Sequence, residues 1–142
     1  MTGTIHLPFE IRLLLEKWTA LGYPKETCGL LVGRQGNRHT WVVRSESTRN
    51  VNTERARDRF EVSPQDFLDC DRRARQDGLE VVGCWHSHPD HPARPSKTDQ
   101  LRAWPDWSYI IVSVRGRRPE EMRSWRLDGV EFEEEIIETW EP

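Results

Sequence analysis

Apolar residues recur along this chain in two periods, and the switches between them mark out its elements. Over residues 8 to 22, Ile11, Leu14, Leu15 and Trp18 fall at i, i+3, i+4 and i+7, the stripe of one helical face, with Pro8 suited to a first turn and Gly22 to a stop. The stretches "CGLLVGR" from Cys28 and "HTWVVRS" from His39 are β-prone instead, and a turn around Gly36-Asn37 joins them. A polar segment carrying Arg49, Arg55, Arg57 and Arg59 follows. Next, "FEV" reads as a short strand, and Ser63-Pro64 opens a helix ending near Gly78. "LEVVGCW" from Leu79 is apolar enough for a buried strand. "SKTDQLRAW" predicts a short helix and "WSYIIVSV" a further buried strand, with "MRSWRL" and "VEFEEEII" as the last two strands.

Strand, helix and strand in succession imply a βαβ crossover, so the pattern predicts an α/β fold, a mixed β-sheet flanked by helices. The chain has no internal repeat or linker rich in Gly and Ser, and 142 residues suffice for one hydrophobic core, so residues 1–142 are expected to form a single domain.

Composition narrows the class. With 35% apolar and 32% charged residues the chain is globular and not disordered, and nothing approaches the roughly 18 to 20 consecutive apolar residues of a membrane span. The N-terminal "MTGTIHLPFEIRLLLEKW" lacks the cationic start and uninterrupted apolar run of a secretory signal. Cys28, Cys70 and Cys84, odd in number and widely spaced, argue against a disulfide framework and for reduced thiols, hence a cytoplasmic location. A net charge of -3 gives no global case for nucleic acid. The charge is uneven, however: Asp128 to Pro142 holds seven acidic residues and no Lys or Arg, the pattern of an edge strand guarded by charge.

Candidate chemistry concentrates in "CWHSHPDHPARPSKTD", residues 84 to 99, which holds three of the five histidines. His86 and His88 sit at the C-terminal end of the predicted buried strand, where α/β proteins place their sites. If the strand persists to residue 88, its period of two puts both imidazoles on one face, able to chelate one ion. A catalytic zinc takes three protein ligands and a water, and Asp99, one turn into the helix that starts at Ser96, is a natural third ligand. Ser96 and Asp99 also have the spacing of a capping box, which alone would explain both as helix punctuation. Cys84 and His91 are rival ligands: Cys84 shares the parity of His86 but suits a buried structural role, and His91 is turned outward by its neighbouring prolines. HExxH and the paired HxE and PCxxC of zinc deaminases are missing. A hydrolase needs a general base as well, and Glu26, just before the first of the β-prone stretches, could lie beside apolar residues that raise its pKa.

Together, "PKETCGLLVG" and "HSHPDHPARPSKTD" resemble the JAMM (MPN+) zinc metalloprotease family, whose pattern is a Glu near the first strand and then HxHP, six residues and SxxD; Glu26, His86, His88, Pro89, Ser96 and Asp99 fill every position. "RFEVSPQDF" is also similar, and the likeness runs from about Glu10 to about Val114. The resemblance implies a compact fold similar to cytidine deaminase, with Zn2+ held by His86, His88, Asp99 and a water. It further implies that Glu26 takes the water's proton and passes it to the leaving amine, while the Ser96 hydroxyl stabilises the oxyanion. The substrate it implies is a peptide or isopeptide bond after the C-terminal Gly-Gly of ubiquitin or a relative. Because the chain is short, it looks like the small prokaryotic members that act on ubiquitin-like sulfur-carrier proteins or their C-terminal adducts, with no nucleic acid or membrane involved. Gly-Gly has no side chains to read, so selectivity needs a backbone-pairing groove and a distant protein surface. Arg49, Arg55, Arg57 and Arg59 could supply that surface or be solvated loop charges. Two rival readings are a non-catalytic MPN scaffold, which typically lacks the ligand set, and a phage-tail or cell-wall peptidase using the same site.

Overall fold

Thr4–Pro8 alternates strictly, with Ile5 and Leu7 fully buried between half-buried neighbours, and forms β1, a strand the sequence pattern did not reveal. The computed structural model describes residues 2–141; Met1 and Pro142, the last position of the acidic run, lie outside them. Along the chain follow α1 (Phe9–Gly22), β2 (Cys28–Gly36), β3 (His39–Thr48), α2 (Pro64–Gln76), β4 (Glu80–Pro89), α3 (Lys97–Leu101), β5 (Ser108–Arg115), β6 (Arg118–Asp128) and β7 (Glu131–Trp140).

The expectation of a mixed sheet flanked by helices is overturned. Among the described residues the strands close into a seven-stranded barrel in the order β1-β3-β2-β4-β5-β6-β7, with three helices against it. The cause is β1, which pairs in parallel with β3 on one side and with β7 on the other, so that no edge is left open. The acidic run is therefore not an edge: β7 is paired on both sides, and Glu135 within it is buried. "FEV" is not a strand but a single bridge, Asn50 to Val62, so the crossover through α2 starts from β3 instead and reaches β4, which runs parallel to β3 on the far side of β2. A second parallel crossover runs from β4 through α3 to β5.

Two apolar clusters occupy opposite faces of the sheet. Ile11 and Leu15 of α1 join Ile5, Leu7, Leu31, Trp85 and Ile110 on one face, and Trp18 stacks on Trp85 with ring centroids 5.5 Å apart. The helical stripe is narrower than the spacing predicted, since Leu14 is exposed and Thr19, whose hydroxyl donates to the Leu15 carbonyl at 2.8 Å, is buried instead. On the other face Cys70 and Ala74 of α2 pack against Leu30, Val32, Val81, Cys84 and Tyr109. Leu31 pairs with Gly83 while Val32 pairs with Val81, so Val82 is an extra residue, a β-bulge. The bulge reverses the parity of β4: Val81 and Cys84, three apart, face the same cluster, and His86 and His88 continue on that face. Beside it Gly83 is required by a close approach, because a Cβ there would lie 2.0 Å from the Ser108 carbonyl oxygen on β5.

One end of the barrel is tied by a buried polar network. Arg126 Nε donates to Glu135 Oε1 at 2.9 Å, Ser124 Oγ donates to Glu135 Oε2 at 2.7 Å, and Arg126 Nη2 donates to Thr40 Oγ1 at 2.9 Å. Thr40 and Ser108 share a hydroxyl hydrogen bond of 2.8 Å, so the network links β3, β5, β6 and β7. Glu135→Ala strands a largely buried guanidinium and is expected to lower the free energy of unfolding by about 3–5 kcal/mol, read by urea denaturation. A loss below about 1 kcal/mol, the worth of a surface pair, would show that the closure does not lean on this carboxylate.

Candidate metal centre

Three segments converge at the C-terminal end of β4. The strand runs to Pro89, so His86 and His88 share a face, and every β4 residue after Glu80 is buried. β2 begins opposite that end: Cys28 is the register partner of His86. The backbone there is clamped, with Ser87 N donating to Thr27 O and Thr27 N donating to Ser87 Oγ, each at 2.9 Å. Glu26, one residue earlier, is thereby carried into the site, where it is 6% exposed. Its backbone is held by Ala56 and Asn50, through N–H to Ala56 O at 2.6 Å and Asn50 Nδ2 to Glu26 O at 3.0 Å.

The third segment is α3. Ser96 caps it with a complete capping box: Asp99 N donates to Ser96 Oγ at 3.0 Å and Ser96 N donates to Asp99 Oδ2 at 2.9 Å. The same Oδ2 lies 3.3 Å from His86 Nε2 and 3.1 Å from His88 Nε2, and the two Nε2 atoms are 3.1 Å apart. Helix punctuation and convergence on the histidines are thus properties of one carboxylate.

These spacings fit a metal ion. A tetrahedral zinc bonded at about 2.0–2.1 Å needs ligand atoms about 3.3 Å apart, close to the three separations found. Orientation agrees: His88 Nδ1 donates to the Pro92 carbonyl at 2.8 Å, so the neutral ring keeps its proton there and turns the Nε2 lone pair toward the cluster. Phe60 stacks on His86 at 4.2 Å between centroids, and His86 Nδ1 is buried without a protein partner among the described residues. Glu26, His86 and His88 also offer one ligand atom each within 4.8 Å of one another, so the geometry alone permits either carboxylate as the third donor.

Protonation separates the two carboxylates. Burial pushes Glu26 from 4.5 up to about 8, partly offset by the charge of His88 and reinforced by that of Asp99. Asp99 is driven up by burial too, but the charge of His86, hydrogen bonds from both histidines and the Ser96 N–H outweigh it and hold the carboxyl far below its usual range. Burial lowers His86, favouring the neutral ring that a metal needs.

The remaining candidates lie elsewhere. His91 is exposed, and its carbonyl accepts from Ser113 Oγ at 2.6 Å. Cys84 is buried on the face of His86, its thiol raised well above the ordinary value by burial, and it is outside the cluster. Arg49 is tied to Asp66 at 3.0 Å and Arg55 to Asp58 at 2.5 Å, while Arg57 is exposed. Arg59 lines a cavity of about 660 Å³ that also reaches His86 and Asp99. Sequence reasoning missed Phe60 and Pro92. Phe60 lay inside the family-like "RFEVSPQDF"; Pro92 acts through a backbone carbonyl, which leaves no mark in a sequence.

In sequence and in fold the chain is similar to known proteins. The family model for prokaryotic homologs of the JAB domain matches residues 11–128. The desampylase of Haloferax volcanii is 35% identical over 112 residues, covering 78% of this chain and 76% of that protein. The CysO-cysteine peptidase of Mycobacterium tuberculosis is 35% identical over 121 residues, covering 80% and 77%. The solution structure of a protein from Desulfitobacterium hafniense matches with a TM-score of 0.84 and 30% identity over 97% of this chain and 94% of the other. Among the described residues no helix is long and apolar enough to cross a membrane.

The raised pKa of Glu26 has a consequence for stability. In protein stripped of metal the folded carboxyl stays protonated up to about pH 8, whereas the unfolded one ionises near 4.5. Its contribution to stability is whole below about pH 4.5 and is lost as pH rises through 8. Stripped Glu26→Gln should match wild type near pH 4.5 and exceed it above pH 8 by on the order of 3–5 kcal/mol, measured by denaturant unfolding across pH. Equal stability at both ends would mean that Glu26 is not held neutral.

Proposed function

The chain belongs to the family of prokaryotic homologs of the JAB domain, and from that premise we propose that it is a zinc-dependent peptidase or isopeptidase cutting after the C-terminal Gly-Gly of a ubiquitin-like sulfur-carrier protein. The observation that carries the reading is the meeting of two Nε2 atoms and one carboxylate oxygen at 3.1–3.3 Å beside a second, buried carboxyl. The names of the two relatives, a desampylase and a CysO-cysteine peptidase, support the substrate class. We assign the reaction to one domain spanning residues 1–142, in the cytoplasm; its three cysteines are free and buried, in keeping with a reducing compartment.

His86, His88 and Asp99 would hold the zinc. Asp99 is preferred to Glu26 as third ligand because a ligand must be ionised and Asp99 is, and because its Oδ2 already faces both imidazoles. A zinc ion bound there would supply a Lewis acid, lowering the pKa of a bound water toward about 7 and polarising a carbonyl. Glu26 remains free for proton traffic: as a carboxylate beside the cation it accepts a proton from the attacking water and delivers it to the departing amine. Ser96 Oγ accepts the Asp99 N–H, so its own hydroxyl proton is available to the charge developing on the scissile carbonyl oxygen. A non-catalytic scaffold has no use for this convergence.

Purified protein should carry one zinc per chain. Glu26→Gln should keep the metal and lose turnover by about 10²–10⁴-fold. Asp99→Ala should weaken zinc binding itself, measured by competition with a chromophoric chelator. The substrate is tested by incubating the enzyme with carrier proteins extended beyond Gly-Gly and weighing the products by mass spectrometry. Cleavage at any bond other than the one after Gly-Gly, or full activity in Glu26→Gln, would overturn this assignment.

A further inference from the structure

The cavity of about 660 Å³ that reaches His86 and Asp99 has the size of a small-molecule site, and most of its wall is apolar, with Phe67, Trp107, Tyr109 and Phe132 prominent. Gly-Gly has no side chain to occupy such a space. Two cations line it, Arg59 and Arg102. Arg102 has Glu61 within 4.0 Å and donates to the Phe60 carbonyl. Half-buried Arg59 differs: its Nη1 donates to the Asp58 carbonyl at 2.9 Å, and among the described residues no carboxylate lies within ion-pair distance of it. Arg49 and Arg55, on the same segment, both have such a partner. Asn50 Nδ2 donates to both the Glu26 and the Arg59 carbonyls, each at 3.0 Å, which ties the backbone of Arg59 to that of the group that protonates the leaving amine.

Resting on the peptidase reading, we propose that this cavity receives the leaving group and that Arg59 recognises its free α-carboxylate, so that the preferred adduct is an apolar amino acid joined through its α-amine to the carrier's C-terminal glycine. In such an adduct the carboxylate is separated from the scissile nitrogen by a single carbon, within reach of a cation beside the proton donor. In a lysine isopeptide the same carbon chain carries no free carboxylate near the scissile nitrogen. Arginine suits the task, because its planar fork takes a carboxylate with two parallel hydrogen bonds. The reaction is plain hydrolysis: the C–N bond breaks, a C–O bond forms to water, and one water proton passes through Glu26 to the amine. The products are the carrier carboxylate and a free amino acid.

The test compares zinc-loaded enzyme on a carrier ending in Gly-Gly-Phe with a free carboxylate and on the same adduct as its carboxamide. The acid is expected to be cleaved with a kcat/KM at least about tenfold higher. Arg59→Gln should bring the acid-to-amide ratio near one, and Arg59→Lys should keep part of the preference; thermal unfolding checks that both variants are folded. A purely structural role for Arg59 would lower both substrates together and leave the ratio alone. In parallel, calorimetry measures binding of N-acetylglycyl-phenylalanine and its carboxamide to wild type and Arg59→Gln. Equal treatment of acid and amide by wild type, or a ratio that survives Arg59→Gln, overturns the proposal. If neither adduct is cleaved, the binding data decide: an Arg59-dependent preference for the acid keeps the site while the peptidase reading falls, and indifference to the carboxylate removes the site as well.

Discussion

Asp99 Oδ2 accepts the Ser96 N–H at 2.9 Å while lying 3.1 Å from His88 Nε2 and 3.3 Å from His86 Nε2. A carboxylate with little access to water is costly unless its lone pairs are used, and here three nitrogen partners use one oxygen. The contact fixes α3 against the end of β4, and it fixes the Asp99 rotamer because the capping box already determines where that side chain points. A helix of only five residues has little stability of its own, so its position depends on this cap and on what the carboxylate touches.

The barrel supplies the other half of the constraint. β2 starts where β4 ends, so antiparallel pairing alone brings a residue just before β2 beside a residue near the end of β4. The two hydrogen bonds between Thr27 and Ser87 make that juxtaposition rigid at the point where Glu26 meets His88. The bulge at Val82 is equally consequential: without the extra residue, His86 and His88 would turn to the face that α1 covers, away from α3.

Much of this site was legible in the sequence because its chemistry is carried by side chains at fixed spacing. HxH on a strand and SxxD at a helix start each constrain geometry locally, and the structure brings His86, His88, Ser96, Asp99 and Glu26 together. The fold was less legible. β1 is five residues long and runs directly into α1, so its alternation is too short to stand out beside the helical stripe that follows. Missing it meant missing the closure, since β1 is the strand that bridges β3 and β7. The acidic run misled for a related reason: charge along a strand signals an edge only when no neighbour pairs with it, and Glu135 is instead neutralised inside the barrel by Arg126 and Ser124.

The deeper division of labour lies between the two carboxyl groups. Both are withdrawn from water, yet they titrate in opposite directions because Asp99 is met by the charge of His86 and by hydrogen bonds, whereas among the described residues none reaches the Glu26 carboxyl. Asp99 has the Ser96 N–H and two imidazoles; the polar contacts of Glu26 are made by its backbone, leaving its side chain surrounded mainly by the penalty of burial. Two acids placed in unlike environments become a fixed anion and a proton carrier, which is the separation of roles that acid–base catalysis near neutrality demands. Exchanging the surroundings, not the residues, would exchange the roles. Spacing in the sequence could locate both groups, but only the packing around them could say which would be ionised.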